Sequence, residues 1–168
     1  MIVKHKSQRV AVLVDIQNLY YSARHLYKAK VNFGEVLRHA VGDRTLVRAI
    51  AYVIKTDLVE KERDFFEAIN KMGFEVKEKD LQIFADGSKK GDWDVGITMD
   101  AIRLGKKVDS IVLVSGDGDY IPVVKYLQLS EGCQVEAYAF GKTCSSALIE
   151  EVDDFVDMDD HKKFLIKR

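Results

Sequence analysis

The side chains best placed to do chemistry in this sequence are aspartates. The stretch "LVSGDGDY", residues 113–120, sets Asp117 and Asp119 directly after an apolar run, with Gly116 and Gly118 permitting a tight backbone path. Two carboxylates two residues apart can converge on one ion. Asp119 also suits the N-cap of a helix beginning at Tyr120, with Pro122 tolerated in the first turn. Asp15 closes another apolar run, "VLVD", and is expected at the rim of a sheet, where an Asx turn or cap is the ordinary use of such a residue. "KKGDWDVGITMD" adds Asp92, Asp94 and Asp100. At about 100° per helical residue, Asp94 and Thr98 share a face, whereas Asp100 lies about 240° around from Asp94. Asp94 is therefore the expected ligand, Asp92 the expected N-cap, and Asp100 a solvated or supporting group.

Asp15, Asp94, Asp117 and Asp119 gathered without cationic partners would repel one another, so such a cluster makes sense around a hard cation. Oxygen donors without His or Cys favour Mg²⁺ or Mn²⁺ over zinc. The matching chemistry is metal-assisted phosphodiester hydrolysis. No serine, cysteine or histidine stands in these motifs as an obvious nucleophile with its base, which leaves water as the simplest attacking group. A calcium loop of the EF-hand type starting at Asp117 fails, because Gln128 stands where Glu is needed and Pro122 where Gly is needed.

The elements that must position these acids alternate. "RVAVLVD" reads as a buried strand, followed by a helix from about Leu19 to Lys30, with Asn18 as its cap or as an amide orienting Asp15. "NFGEVLRHAVG" is a second helix, capped by Asn32 and stopped at Gly42. "TLVRAIAYVI" is a strand, and residues 57–73 form an amphipathic helix capped by Asp57 and ended by Gly73. "FEVKEKDLQIFADGSKKG" starts as a strand and breaks into a polar loop, and residues 92–106 form a helix despite Gly96. "DSIVLVSG", "DYIPVVKYLQLSEG" and "CQVEAYAFG" read as strand, helix, strand, before a short helix "SSALIEEV" and an edge strand "DFVDMD". The alternation predicts a three-layer α/β/α sandwich around a mainly parallel sheet, with the site beyond the C-terminal strand ends.

With 168 residues and 47% hydrophobic composition, the chain is expected to form one domain, 1–168, with its core at about 9–158. The 26 Lys and Arg against 27 Asp and Glu give a net charge of -1, which excludes a passive basic coat for nucleic acid and demands a local patch for any polyanion. Cys133 and Cys144 form no CxxC pair and are expected to be reduced thiols. No apolar run reaches membrane-spanning length and the N-terminus lacks a signal-like apolar core, so a cytoplasmic protein is expected.

The segments "VDIQN", "KKGDWDVGITMD" and "SGDGDY", in that order, resemble the NYN domain of the PIN-like nuclease superfamily in its LabA-like branch, over roughly residues 9–158. The resemblance implies a PIN-like sheet of strand order 3-2-1-4-5, an acidic pocket for Mg²⁺ or Mn²⁺, and RNA, single-stranded, as substrate. By motif, Asp15 corresponds to the first-strand ligand, Asp94 to the acid of the Lys-x-x-x-Asp-like segment, and Asp117 and Asp119 to the paired acids. Asp100 matches a recurrent acid, and Asn18 and Ser115 join it as supporting groups. Where the family has "KGVD" this chain has "KGDWD", one residue longer, so Asp92 and Asp94 compete for one role and Asp94 is preferred.

Lys89 and Lys90 are the leading candidates for holding the RNA backbone, with Lys28, Lys30 and Lys142 in segments able to border the same rim. A haloacid-dehalogenase-type phosphatase is disfavoured because Gln17 stands where its second acid is required. A dinucleotide fold lacks its GxGxxG. The reading that competes best is a non-catalytic module of the same fold that binds RNA or a regulatory protein, alone or as a homodimer. Retention of all four acids favours an endoribonuclease over it.

Overall fold

The structure, a computed structural model, describes residues 2–55 and 59–167. Along the chain lie β1 (Arg9–Asp15), α1 (Ile16–Tyr27), β2 (Lys30–Val31), α2 (Phe33–Val41), β3 (Thr45–Lys55), α3 (Val59–Lys71), β4 (Glu75–Asp80), β5 (Gln82–Ile83), β6 (Lys89–Lys90), α4 (Asp94–Gly105), β7 (Ser110–Val114), α5 (Ile121–Ser130), β8 (Gln134–Ala139), α6 (Ser146–Glu151), β9 (Asp154–Asp157) and β10 (Leu165–Ile166). Six strands make one sheet in the order β4-β3-β1-β7-β8-β9, every pairing parallel. Counted among themselves these strands run 3-2-1-4-5-6, which is the implied order with an edge strand added.

The continuous apolar run in β1 is explained by burial on both faces. Val12 and Val14 point into one core with α1, α2 and α3, while Ala11 and Leu13 point into the other, with α4, α5 and α6. The result is the three-layer sandwich. The sheet changes winding direction between β1 and β7, where Val14 pairs with Val114. Asp15 and Ser115, the next residues on each strand, are thereby brought to the same sheet edge.

Several local expectations change. Helix α1 starts at Ile16, immediately after the strand, so Asp15 occupies the N-cap and accepts the Asn18 N–H; Asn18 is already inside the helix and cannot cap it. The polar segment after β4 is an ordered hairpin, with β5 and β6 antiparallel and the Asp86 carboxylate accepting from both the N–H and the hydroxyl of Ser88. Two-residue β2 pairs with β10, a contact that local pattern could not announce. Asn32 and Gly42 cap α2 as expected. The expected cap Asp57 lies outside the described residues.

Candidate metal centre

At the switch point, one carboxylate oxygen each from Asp94, Asp117 and Asp119 lies within 4.8 Å of the others. Three local devices produce this. Asp94 opens α4, and the N–H of Asp94 is held by the Asp92 carboxylate, while the N-cap position itself belongs to Trp93. Asp92 is therefore not the N-cap expected of it: it stands one residue before the cap and holds only the first helical N–H, because the helix begins one residue later than the sequence suggests. Asp117 rather than Asp119 caps the single 3₁₀ turn Gly118–Tyr120 that leads into α5, accepting the Asp119 N–H at 2.9 Å. The intervening turn shifts the cap by two residues and leaves the Asp119 side chain exposed at the mouth of the cluster. The glycines of this loop are needed for space, not for unusual dihedrals: a Cβ on Gly116 would lie 3.1 Å from the Cα of Cys144, and one on Gly118 would lie 2.8 Å from the Ser145 hydroxyl.

Asp15 forms the floor. It is 9% exposed, and its second oxygen accepts from the Tyr120 hydroxyl at 3.2 Å, the same hydroxyl that lies 3.0 Å from Asp94. One O–H has one hydrogen, so Tyr120 shares it between the two acids and links floor to cluster. Burial first, and then the charges of Asp15 and Asp94, push the ionisation of Tyr120 far above the ordinary phenol range, so it remains a neutral donor. Burial pushes Asp15 up to about 6, with Asp94 and Asp117 adding to the effect against the bonds from Asn18 and Tyr120. Asp94 is raised too, by burial and then chiefly by Asp117, Asp92 and Asp119.

Asn18 and Ser115 brace the loop. The Asn18 side-chain oxygen accepts the Gly116 N–H at 3.0 Å, and the Ser115 hydroxyl accepts the Asp117 N–H at 3.2 Å. Asp100 is placed elsewhere. Its carboxylate takes the Tyr52 hydroxyl at 2.7 Å, the Lys77 ammonium at 2.6 Å and Arg103 at 3.3 Å. Burial opposes its charge, yet Lys77, Tyr52 and Arg103 hold its pKa below the usual carboxylate value. Asp100→Asn is accordingly expected to cost about 1–2 kcal/mol at neutral pH. A lowered pKa contributes stability above the ordinary carboxylate value and loses it as pH falls, so the difference from wild type should vanish at strongly acid pH. Thermal melts at both pH values check this.

Trp93 is a packing residue. Its indole N–H donates to the Val53 carbonyl at 2.8 Å, its ring lies 5.3 Å from that of Tyr52, and it lies over Gly96, where a Cβ would come within 2.5 Å of it. That contact explains a glycine inside a helix. Lys79, overlooked in the sequence, lies 5.6 Å over the same ring and donates to the Asp92 carbonyl. Lys89 and Lys90 are exposed on β6, a short distance along the chain from Asp94. Cys133 and Cys144 are free, and burial pushes both thiols up to about 11.

The opposite treatment of another buried acid gives the cluster its meaning. Glu136, fully buried on β8, is neutralised by Arg44 at 2.8 Å and Lys4 at 2.9 Å and receives the Ser110 hydroxyl. Asp15, Asp94, Asp117 and Asp119 have no ion-pairing base among the described residues. Converging carboxylates of this kind, partly exposed and rich in oxygen donors, fit a hard divalent cation.

Comparison with known proteins supports the same fold. The NYN domain model matches residues 9–159. The low amplitude and bright protein LabA of Synechococcus elongatus is 24% identical over 177 residues, covering 96% of this chain and 90% of that protein. The crystal structure of a Vibrio parahaemolyticus protein of unknown function superimposes with a TM-score of 0.89 at 37% identity, over 98% of this chain and 100% of the other. No helix among the described residues is long and apolar enough to cross a membrane. With the sheet order, the acids at the switch point and a family match over nearly the whole length, the chain belongs to the NYN domain family of PIN-like nucleases.

Proposed function

We propose that this protein is a divalent-metal-dependent endoribonuclease, acting in the cytoplasm on single-stranded RNA. The observation that carries the reading is the convergence of Asp94, Asp117 and Asp119 within 4.8 Å without a neutralising base among the described residues. These three, with Asp15 beneath them, would hold Mg²⁺ or Mn²⁺. A bound ion of this type supplies Lewis acidity toward a phosphate oxygen and makes water a competent nucleophile near neutral pH. The chain itself supplies orientation: Tyr120 fixes the Asp15 and Asp94 carboxylates, Asn18 and Ser115 hold the loop bearing Asp117, and the exposed Asp119 meets incoming substrate. Lys89 and Lys90 offer charge to the backbone just before Asp94 in the chain.

The test is incubation of metal-free protein with end-labelled single-stranded RNA, with and without Mn²⁺ or Mg²⁺. Cleavage is expected only with the ion, leaving 5′-phosphate and 3′-hydroxyl ends, because attack by water needs no RNA 2′-hydroxyl. Products ending in 2′,3′-cyclic phosphate would overturn the mechanism. Tight RNA binding without cleavage in either metal would make the protein a binding module instead.

A further inference from the structure

The helix that leaves the acidic pocket is segregated in charge. From Ile16 to Gly34 the chain contains no aspartate or glutamate, although 32% of its residues are charged. Tyr20, Arg24 and Lys28, spaced by four, form one stripe along α1 and its C-cap. With Ala29 and Lys30 they line a surface cavity of about 410 Å³. Tyr20 is 40% exposed and Tyr21, in edge contact with it, 59%. The Arg24 guanidinium donates to the Tyr20 hydroxyl at 3.2 Å, which sets the cation beside the ring. Arg24, Lys28 and Lys30 make no ion pair among the described residues. By contrast Lys142, the other rim candidate, lies on Tyr27, whose hydroxyl is bonded to Asp159.

Lys28 is unusual in its backbone as well. At φ 50 it is the one non-glycine residue with positive φ among the described residues, and it ends α1 where glycine is the usual choice. A long cation at a position that favours no side chain is a cost to the fold, and its placement completes the stripe. Since α1 begins beside Asp15 and rises 1.5 Å per residue, the stripe starts about 8 Å from the pocket and ends about 20 Å from it.

We propose that Tyr20, Arg24, Lys28 and Lys30 form a track for the single-stranded RNA that enters the acidic pocket, with Tyr20 stacking a base and the three cations holding backbone phosphates. The inference rests on the nuclease reading and adds the route of the substrate. An aromatic platform beside cations free of acids is the chemistry that holds single strands without reading sequence.

The experiment measures binding of fluorescein-labelled oligouridylate to metal-free protein, in which no cleavage interferes, over a salt series. The variants are Arg24→Gln/Lys28→Gly/Lys30→Gln, Tyr20→Leu, and a control on the far helix layer, Lys106→Gln/Lys107→Gln. The triple variant should bind at least about tenfold more weakly, with the slope of log affinity against log salt reduced by about 2, since each lost single-strand contact removes about 0.7. Lys28→Gly alone should weaken binding without lowering the melting temperature, because glycine relieves the left-handed position; a merely structural lysine would not separate those two readouts. Tyr20→Leu should weaken the single strand more than a blunt RNA duplex. Triple-variant binding within about twofold of wild type, or a loss matched by the control, overturns the track and leaves the nuclease reading standing. Wild-type protein that neither binds nor cleaves RNA overturns both.

Discussion

Asp117→Asn is expected to abolish RNA cleavage, by at least about a hundredfold, while the fold survives. The amide keeps the oxygen that caps the 3₁₀ turn, so the bond from the Asp119 N–H at 2.9 Å is retained. What disappears is one of the three charges that meet within 4.8 Å. A divalent ion is worth several kcal/mol to a phosphoryl transition state, and a site lacking one of its anionic ligands holds the ion poorly. Single-turnover cleavage of end-labelled RNA at saturating Mn²⁺ measures the loss, and a melt in metal-free buffer confirms the fold. Residual activity near the wild-type level, after contaminating nuclease is excluded by a second purification, would falsify the assignment of Asp117.

The parts of this site that could be read from the sequence are those fixed by one strand or one helix at a time. The run Val10–Val14 announces a doubly buried strand, so the rim position of Asp15 follows directly, and helical geometry alone separates Asp94 from Asp100. What could not be read depends on register between distant segments. Tyr120 looks like an ordinary core aromatic until the β1–β7 pairing and a single 3₁₀ turn bring its hydroxyl between Asp15 and Asp94. Of the partners of Asp100, Arg103 is a helical i,i+3 neighbour, but Tyr52 and Lys77 come from β3 and β4, and no local pattern couples them to it. The move of the capping role from Asp119 to Asp117 comes from the three-residue turn Gly118–Tyr120 that precedes α5. The β5–β6 hairpin was obscured by its polar, two-residue strands, too short for periodicity to register.

Asp15→Asn should raise the stability of the metal-free protein at neutral pH and lower it, relative to wild type, when Mn²⁺ is present. The carboxylate is 9% exposed and its pKa is pushed from 3.8 up to about 6, burial being the largest cause. A group whose folded pKa is raised contributes stability in its protonated form, fully present below 3.8 and lost as pH rises through about 6. Above that range the ionised Asp15 costs the fold on the order of 3 kcal/mol, and a neutral amide of the same shape avoids this. For a chain of this size the gain corresponds to roughly 6–12 °C in melting temperature. Asparagine can still accept the Asn18 N–H through its oxygen, while its NH2 donates to the Tyr120 hydroxyl oxygen and the Tyr120 proton goes to Asp94, so the packing of the floor is kept. The gain should shrink to nothing as the pH is lowered past 4, where wild type and variant carry the same charge at this position. Added Mn²⁺ stabilises whichever protein binds it, by about 4.1 kcal/mol at a thousand times its dissociation constant, which exceeds the cost of about 3 kcal/mol, and only the wild type has the full acid set. Melting curves of both proteins at pH 4 and pH 7.5, with EDTA and with Mn²⁺, decide the matter. A variant less stable than wild type in EDTA at pH 7.5 would show that Asp15 serves the fold rather than the site, and an order that Mn²⁺ does not invert would remove Asp15 from the ion's coordination. The expected crossing is the signature of a carboxylate kept at a cost to folding for the sake of what it binds.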